Sequence, residues 1–205
     1  MNDATGALPA GQDGAGRFGP VVEQFQKQNP IQMHDDEIEF IVRTIRQTSS
    51  DSLMVEWGSG GSTVRWLQEM SGAQNLISIE HNFRWYRKVR SVVDSSESLS
   101  RRLEYLLRPP NGAWKHGYGG VEEESPVGLE GYFAPTDRIF DADTFLIDGV
   151  ARGVCAILVQ LRSRRDNPTI LLHDWYPRQN WYSWALQLYP RIEQVGTTLV
   201  QLFKQ

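Results

Sequence analysis

The sequence predicts an α/β fold with a mostly parallel, doubly wound sheet of seven strands. Short apolar strands alternate with helical segments along the chain, and acidic or imidazole side chains stand at the ends of several strands. Strands that alternate with helices form parallel sheets covered on both faces, and ligands bind beyond the carboxyl ends of those strands. The Gly196-Thr197 turn between the last two strands predicts a closing antiparallel hairpin.

Each predicted element has its own local signal. Residues 1–20 are rich in Gly, Ala, Asp and Pro and lack periodic apolar positions, which predicts a disordered arm before a single domain at 21–205. The long Gly-rich and acidic connection 111–138 is typical of a functional loop. The predicted strands are 52–57, 75–80, 103–107, 144–148, 169–173, 191–195 and 198–203. The predicted helices are 36–47, 62–70, 83–93 and 151–164, and a short aromatic segment follows the fifth strand.

Composition excludes several classes of protein. Apolar residues make up 40% of the 205 residues and charged residues 22%, as in ordinary globular proteins. A formal net charge of −4 argues against a protein that binds nucleic acid through its phosphates. The single cysteine, Cys155, excludes an intrachain disulfide and a cysteine-rich zinc site. No apolar run approaches the roughly 20 residues that span a bilayer, and no leader is visible. We therefore expect a cytoplasmic protein that contacts neither membrane nor nucleic acid.

The most informative motif is a glycine turn after the first predicted strand. The strand ends at Glu56-Trp, glycines follow at positions 58, 60 and 61, and Ser62 and Thr63 open a helix. Glycines let a ligand approach the backbone closely, and a helix N-terminus offers unpaired N–H groups and a partial positive charge. Glu80 ends the second strand 22 residues after Gly58, about where a carboxylate grips a nucleoside ribose.

The chain resembles the class I S-adenosylmethionine-dependent methyltransferases over about residues 35–205. The resemblance rests on the Glu56-Trp-Gly-Ser-Gly-Gly turn, on Glu80, on Asp148 at the end of strand four, and on the closing hairpin. The runs Glu-Trp-Gly-Ser-Gly-Gly-Ser-Thr and Ile-Asp-Gly-Val-Ala-Arg are similar to a subgroup that includes small-molecule and sugar O-methyltransferases. The resemblance implies a Rossmann-like fold, S-adenosylmethionine as cofactor, and a small-molecule or saccharide acceptor.

The resemblance also implies positions for the cofactor. The backbone of residues 58–61 would approach its methionine part, and Glu56 would orient that end. Glu80 would accept hydrogen bonds from both ribose hydroxyls, which suits a group that only accepts, and His81 would flank the adenine. The implied cofactor-binding residues are Glu56, Gly58, Ser59, Gly60, Gly61, Ser62, Thr63, Glu80, His81 and Asp148.

Three alternatives to a methyltransferase are to be weighed against these residues. An NAD-dependent oxidoreductase needs a third glycine for close helix–strand packing, and Thr63 occupies that position here. A phosphate-binding P-loop would need Gly-Lys-Ser/Thr after the turn, which this sequence lacks. A non-catalytic nucleoside-binding domain could share the fold without turnover.

Three candidate catalytic residues close strands four and five: Asp148, His173 and Asp174. Either His173 or Asp148 acts as a general base on a hydroxyl, or Asp148 and Asp174 hold Mg²⁺, which prefers hard oxygen ligands. Some O-methyltransferases of this fold use a strand-four Asp with a strand-five acidic pair. Trp175 stands here where a further oxygen ligand would be expected. Asp148 could instead cap the helix that follows it.

The acceptor would be held by aromatic and imidazole side chains. Trp114, His116 and Tyr118 in the long loop and Trp175 after strand five are the candidate acceptor contacts. The aromatic segment 175–189 is either a hydrophobic cap over the sheet or a stacking platform for a sugar or aromatic acceptor. The sequence leaves the oligomeric state open.

Overall fold

The computed structural model describes residues 18–112 and 126–205, which form one mixed sheet with helices on both faces. Its strands are β1 (Leu53–Trp57), β2 (Asn75–Glu80), β3 (Leu103–Leu107), β4 (Thr144–Ile147), β5 (Thr169–Leu172), β6 (Arg191–Gln194) and β7 (Val200–Phe203). The helices are α1 (Pro20–Gln28), α2 (Asp35–Gln47), α3 (Gly61–Glu69), α4 (Phe83–Val93), α5 (Glu97–Ser100), α6 (Glu130–Phe133), α7 (Arg152–Arg162) and α8 (Trp175–Leu186), with a 3₁₀ helix at Asp137–Asp141. Among these described helices, none has the length and apolarity that a bilayer crossing requires.

The strand order confirms the predicted fold class. The seven strands lie in the order β3-β2-β1-β4-β5-β7-β6. The first five are parallel, and β7 runs antiparallel to both β5 and β6. The reversal of strand order between β1 and β4 opens a crevice at the carboxyl edge of the sheet, where such folds bind their ligands.

The central strands are apolar on both faces because each face is covered by helices. Successive side chains of a strand point to opposite faces, so neighbouring residues enter different cores. Met54, Leu76 and Leu146 pack with α1–α5, whereas Val55, Ile77 and Phe145 pack with α6–α8. This double burial is typical of parallel strands in α/β proteins.

Several elements differ from the sequence prediction. Helix α1 was not predicted; it begins at Pro20, a good first helical residue. It buries only Val22 and Phe25, and two apolar residues are too few to form a recognisable periodic pattern. The aromatic segment is helix α8, which is interrupted at Tyr176 because a residue before proline disfavours helical geometry. Strands β4 and β5 end one residue early, and Asp148 and His173 therefore lie just beyond them.

The turn after β1 depends on a glycine at position 58. Gly58 has φ of 89°, and a Cβ there would lie 2.6 Å from the Cα of Gly149, at the end of β4. Gly58→Ala should lower the free energy of unfolding by about 2 kcal/mol or more, from roughly 1–2 kcal/mol of left-handed strain plus the overlap. Urea unfolding measures it. Gly112→Ala is the matched control, since a Cβ at position 112 meets nothing within 4 Å. Equal unfolding midpoints for the two variants would contradict the prediction.

Candidate functional site

The glycine turn connects β1 to α3 at the centre of the crevice. The N–H of Gly58 donates to the carbonyl of Ile79 on β2 at 3.0 Å, which fixes the start of the turn. A Cβ at position 61 would overlap the carbonyl oxygen of Asn29, so the segment between α1 and α2 lies directly on the turn. Residues 28–32 and 59–62 line a cavity of about 380 Å³ together with Trp85 and Asp148.

Glu56 supports this turn from behind. Its carboxylate is completely buried and accepts hydrogen bonds from four uncharged side chains. These donors are Ser62 Oγ at 3.0 Å, Thr63 Oγ1 at 2.7 Å, Trp66 Nε1 at 3.1 Å and Ser78 Oγ at 2.8 Å. A carboxylate has about four acceptor positions, so these bonds saturate Glu56. Among the described residues, neither Glu56 nor Thr63 lines the cavities at this edge.

The burial of Glu56 predicts a pH dependence of stability. Burial raises the pKa of Glu56 to about 7 from 4.5, against the lowering effect of its hydroxyl donors. The folded state then binds this proton more tightly than the unfolded chain, so the contribution of Glu56 to stability is complete below pH 4.5 and is lost as pH rises through about 7. The loss amounts to about 3 kcal/mol, because each tenfold difference in proton affinity corresponds to about 1.36 kcal/mol.

The measurement is urea unfolding of the wild type and Glu56→Gln between pH 4 and about 8. The variant lacks this titration, so the difference in unfolding free energy between the two proteins should change across the interval. Curves that stay parallel over the whole range would contradict the assignment. The comparison of two proteins cancels the titrations that both share.

Glu80 ends β2 and faces the same crevice. Its Oε2 accepts the N–H and the hydroxyl of Ser59, at 3.0 and 2.6 Å. Its Oε1 accepts the N–H of Asn82 at 2.6 Å and lies 3.1 Å from Nδ1 of His81. Burial raises the pKa of Glu80, but the bond and charge of His81 and the donors from Ser59 and Asn82 outweigh it, so the pKa is lowered. Glu80 is therefore an ionised acceptor at neutral pH.

A second cavity of about 620 Å³ lies between the ends of β1, β2 and β4. Its lining residues are Gly58, Ser59, Glu80, His81, Asn82, Arg84, Trp85, Lys88, Asp148, Gly149, Val150 and Arg152. Ser59, Trp85 and Asp148 line both cavities, so the two are adjoining parts of one crevice. Its size is that of a small-molecule or cofactor site.

Asp148 belongs to a buried chain of charged groups that begins on α2. Asp148 Oδ1 lies 2.6 Å from Nδ1 of His173, and Nε2 of His173 lies 3.3 Å from Oε2 of Glu37. Glu37 is completely buried, and it accepts the N–H of His34 at 2.9 Å and the hydroxyl of Thr198 at 2.8 Å. His173 is therefore held between two carboxylates.

This arrangement favours Asp148 over His173 as the proton acceptor. Burial lowers the pKa of His173, but the hydrogen bond and charge of Asp148, helped by Asp174, outweigh burial and raise it. Nδ1 of His173 is already bonded to Asp148 and Nε2 lies beside Glu37, and His173 lines neither cavity. Asp148 lines the crevice, whereas His173 is buried behind it.

Arg152 is a site residue that the sequence reasoning missed. It is buried, and its Nη1 donates to Oδ2 of Asp174 at 2.8 Å. Its remaining donors bond the carbonyls of Gly149, His173 and Asp148 at 2.8–3.1 Å. Burial raises the pKa of Asp174, but the charge of Arg152 outweighs it, so the pKa is lowered. The residue before α7, Ala151, is its N-cap with φ of 50°, and no side chain caps the helix, so Asp148 does not serve as its cap.

The predicted metal ligands, Asp148 and Asp174, come together with His173. One ligand atom from each of Asp148, His173 and Asp174 lies within 4.8 Å of the others. Magnesium prefers oxygen ligands in a near-octahedral shell. Here both nitrogens of His173 face carboxylates, and Asp174 is paired with the guanidinium of Arg152.

The candidate acceptor contacts are only partly described. Trp175 is half-buried against the core and donates its backbone N–H to the carbonyl of Thr198 at 2.8 Å, outside the lining of the crevice. Trp114, His116 and Tyr118 lie outside the described residues. Tyr182 of α8 is buried as a hydrophobic cap requires, while Trp184 is half exposed.

Solved structures similar to this chain include several methyltransferases. A methyltransferase-like protein from Silicibacter pomeroyi has a TM-score of 0.62 and 21% identity, over 86% of this chain and 90% of that one. An O-methyltransferase from Bacillus cereus in complex with SAH has a TM-score of 0.61 and 12% identity, over 90% of each chain. A SAM-dependent O-methyltransferase from Thermotoga maritima has a TM-score of 0.59 and 10% identity, over 90% of this chain and 71% of that one.

No protein-family model and no curated protein matches the sequence. The likeness to known proteins is therefore structural, and at these identities it concerns the fold. The sheet order, the closing hairpin and the glycine turn at the carboxyl edge agree with it. This chain has the Rossmann-like fold of the class I methyltransferases.

Proposed function

We propose that this chain is an S-adenosylmethionine-dependent methyltransferase that methylates a hydroxyl of a small molecule or saccharide. The observation that carries the proposal is one crevice lined by an ionised strand-end carboxylate, Glu80, and by a turn that has no side chains at Gly58, Gly60 and Gly61. Solved structures of the same fold include one in complex with SAH. A methyl group on a sulfonium is the electrophile that the bound cofactor supplies.

The residues present fit such a cofactor. The turn offers backbone N–H groups at the start of α3, and its glycines leave room for the methionine part. Glu80 is suited to accept the two ribose hydroxyls, which would replace the hydroxyl of Ser59 after one side-chain rotation. His81 and Val150 flank the wider cavity, where the adenine would lie.

Asp148 would act as the general base. It is the carboxylate common to both cavities, and it lies beside the turn that would hold the methionine end. Holding the acceptor in line contributes up to about 7–11 kcal/mol in favourable cases. His173 and Glu37 would act as positioning residues that fix the carboxylate of Asp148. Trp114, His116, Tyr118 and Trp175 stay proposed acceptor contacts.

A binding measurement tests the proposal. Calorimetry with S-adenosylhomocysteine and with NAD on the full chain should show binding of the former alone. We expect no NAD binding because Thr63 occupies the position of the third glycine of a dinucleotide site. The hydroxyl of Thr63 donates to Glu56 and accepts the N–H of Gly60. Binding of NAD without S-adenosylhomocysteine would overturn the proposal in favour of an oxidoreductase. The cytoplasmic location and the absence of nucleic-acid and membrane partners stay predictions.

A further inference from the structure

We infer that Arg152 fills the place of a divalent cation between two strand-end carboxylates, so methyl transfer by this chain requires no metal ion. The inference rests on the function proposed above and specifies its chemistry. It begins from the two carboxylates that follow adjacent parallel strands, Asp148 after β4 and Asp174 after β5. They meet at one edge of the sheet, as a shared metal would require.

The guanidinium of Arg152 bridges these two carboxylates. Nη1 of Arg152 lies 2.8 Å from Oδ2 of Asp174, and Nη2 lies 3.6 Å from Oδ1 of Asp148. A guanidinium is always charged and presents its donors in a rigid fork, which suits a fixed position between two acids. A cation of this chain therefore already neutralises the pair that would attract a metal.

Arg152 cannot leave this position without loss. Its side chain is only 7% exposed. Its other N–H groups satisfy the carbonyls of Gly149, His173 and Asp148, which would lose a buried donor if the side chain turned away. Buried polar groups that lose their partners are strongly destabilising. A divalent ion would also be repelled by a permanent positive charge a few ångströms away.

The third potential ligand, His173, also has a carboxylate beside each of its ring nitrogens. Nδ1 lies 2.6 Å from Oδ1 of Asp148, and Nε2 lies 3.3 Å from Oε2 of Glu37. A nitrogen that bonds a carboxylate must carry a proton, because the carboxylate has none to give. Nδ1 of His173 then has no lone pair for a metal, and Nε2 lies beside the buried carboxylate of Glu37.

The acceptor's proton must therefore pass to a side chain instead of being released by a metal. The acceptor oxygen bonds the methyl carbon while its proton passes to a carboxylate oxygen of Asp148. The carbon–sulfur bond breaks, and its electron pair stays on sulfur. Arg152 takes part only by holding Asp148 and Asp174, which makes it a positioning residue.

Electron paramagnetic resonance of Mn²⁺ tests the inference on the full chain. The wild type should leave the spectrum of free Mn²⁺ unchanged at millimolar concentration. Arg152→Met leaves the carboxylates of Asp148 and Asp174 without their cation, so this variant should bind Mn²⁺. Adding Asp174→Asn to the same chain should remove the binding. Arg152→Lys keeps a cation and should not bind. Arg164→Met is the matched control, because Arg164 pairs at 2.8 Å with one exposed acid, Asp141.

Several outcomes would overturn the inference. The first is that the wild type binds Mn²⁺ and that Asp174→Asn abolishes this binding. The second is that EDTA stops turnover by the wild type and that Mg²⁺ restores it. The third is that Arg152→Met folds but binds no Mn²⁺. If Arg152→Met does not fold, the wild-type Mn²⁺ spectrum decides the inference alone. Failure of S-adenosylhomocysteine to bind the wild type would overturn the proposed function and leave the Mn²⁺ result unaffected.

Discussion

Asp148→Asn is expected to lower turnover by about 10²–10⁴-fold, the usual contribution of a general base. The amide keeps the size of the carboxylate and can still accept the bond from His173, but it cannot take up the proton of a hydroxyl. Binding of S-adenosylhomocysteine should be largely retained, because the turn and Glu80 stay in place. Production of S-adenosylhomocysteine with a panel of hydroxyl-bearing acceptors measures turnover, and calorimetry measures binding.

The control for this prediction is Asp137→Asn. Asp137 is exposed and pairs with Arg162 at 2.6 Å, away from the crevice, so its loss should change neither quantity. Wild-type turnover by Asp148→Asn would show that another group accepts the proton. A wild type that binds S-adenosylhomocysteine but methylates none of the acceptors would instead favour the non-catalytic nucleoside-binding domain.

Glu80→Ala is expected to weaken binding of S-adenosylhomocysteine by about 100-fold or more. The carboxylate would make two charge-assisted bonds to ribose, each contributing about 1.5–3 kcal/mol, and about 1.4 kcal/mol corresponds to a factor of ten in affinity. The variant also deprives the N–H groups of Ser59 and Asn82 of their acceptor, so the turn itself becomes less ordered. Calorimetry on the variant and the wild type gives the ratio of affinities.

Glu104→Ala provides the matched control for Glu80. Glu104 lies on β3 and pairs at the surface with Arg138, so its removal should leave binding unchanged. Thermal unfolding of both variants without ligand separates loss of affinity from loss of fold. If Glu80→Ala binds as tightly as the wild type, the nucleoside does not lie against β2.

The sheet could be predicted because its signals are local. Glu56 and Glu80 mark strand ends that the structure confirms within one residue. The glycine turn at 58–61 indicates where β1 ends and α3 begins. The alternation of strands and helices predicted a mostly parallel sheet, and the Gly196-Thr197 turn predicted the antiparallel closing hairpin; the structure confirms both. These features depend on neighbours along the chain.

The partners of the site could not be predicted because they come from distant segments. His173 and Glu37 are separated by more than half of the chain, and nothing in the sequence around either residue pairs them. A signal did exist: Glu37 shares the apolar stripe of Ile41 and Ile45, and Arg152 shares that of Ala156 and Val159. A charged residue on the buried face of a helix needs a buried partner. That rule would have marked both as site candidates.

The bond between Glu37 and Thr198 ties the first turn of α2 to the loop that precedes the last strand, 161 residues further along the chain. Glu37 in turn orients His173, which holds Asp148. The proposed catalytic group is therefore fully positioned only when the hairpin of β6 and β7 has packed against the sheet. During synthesis on a ribosome, a nascent chain that has emerged only as far as β5 would lack this support. Competence for chemistry should therefore arise late in folding, as this contact between distant segments closes.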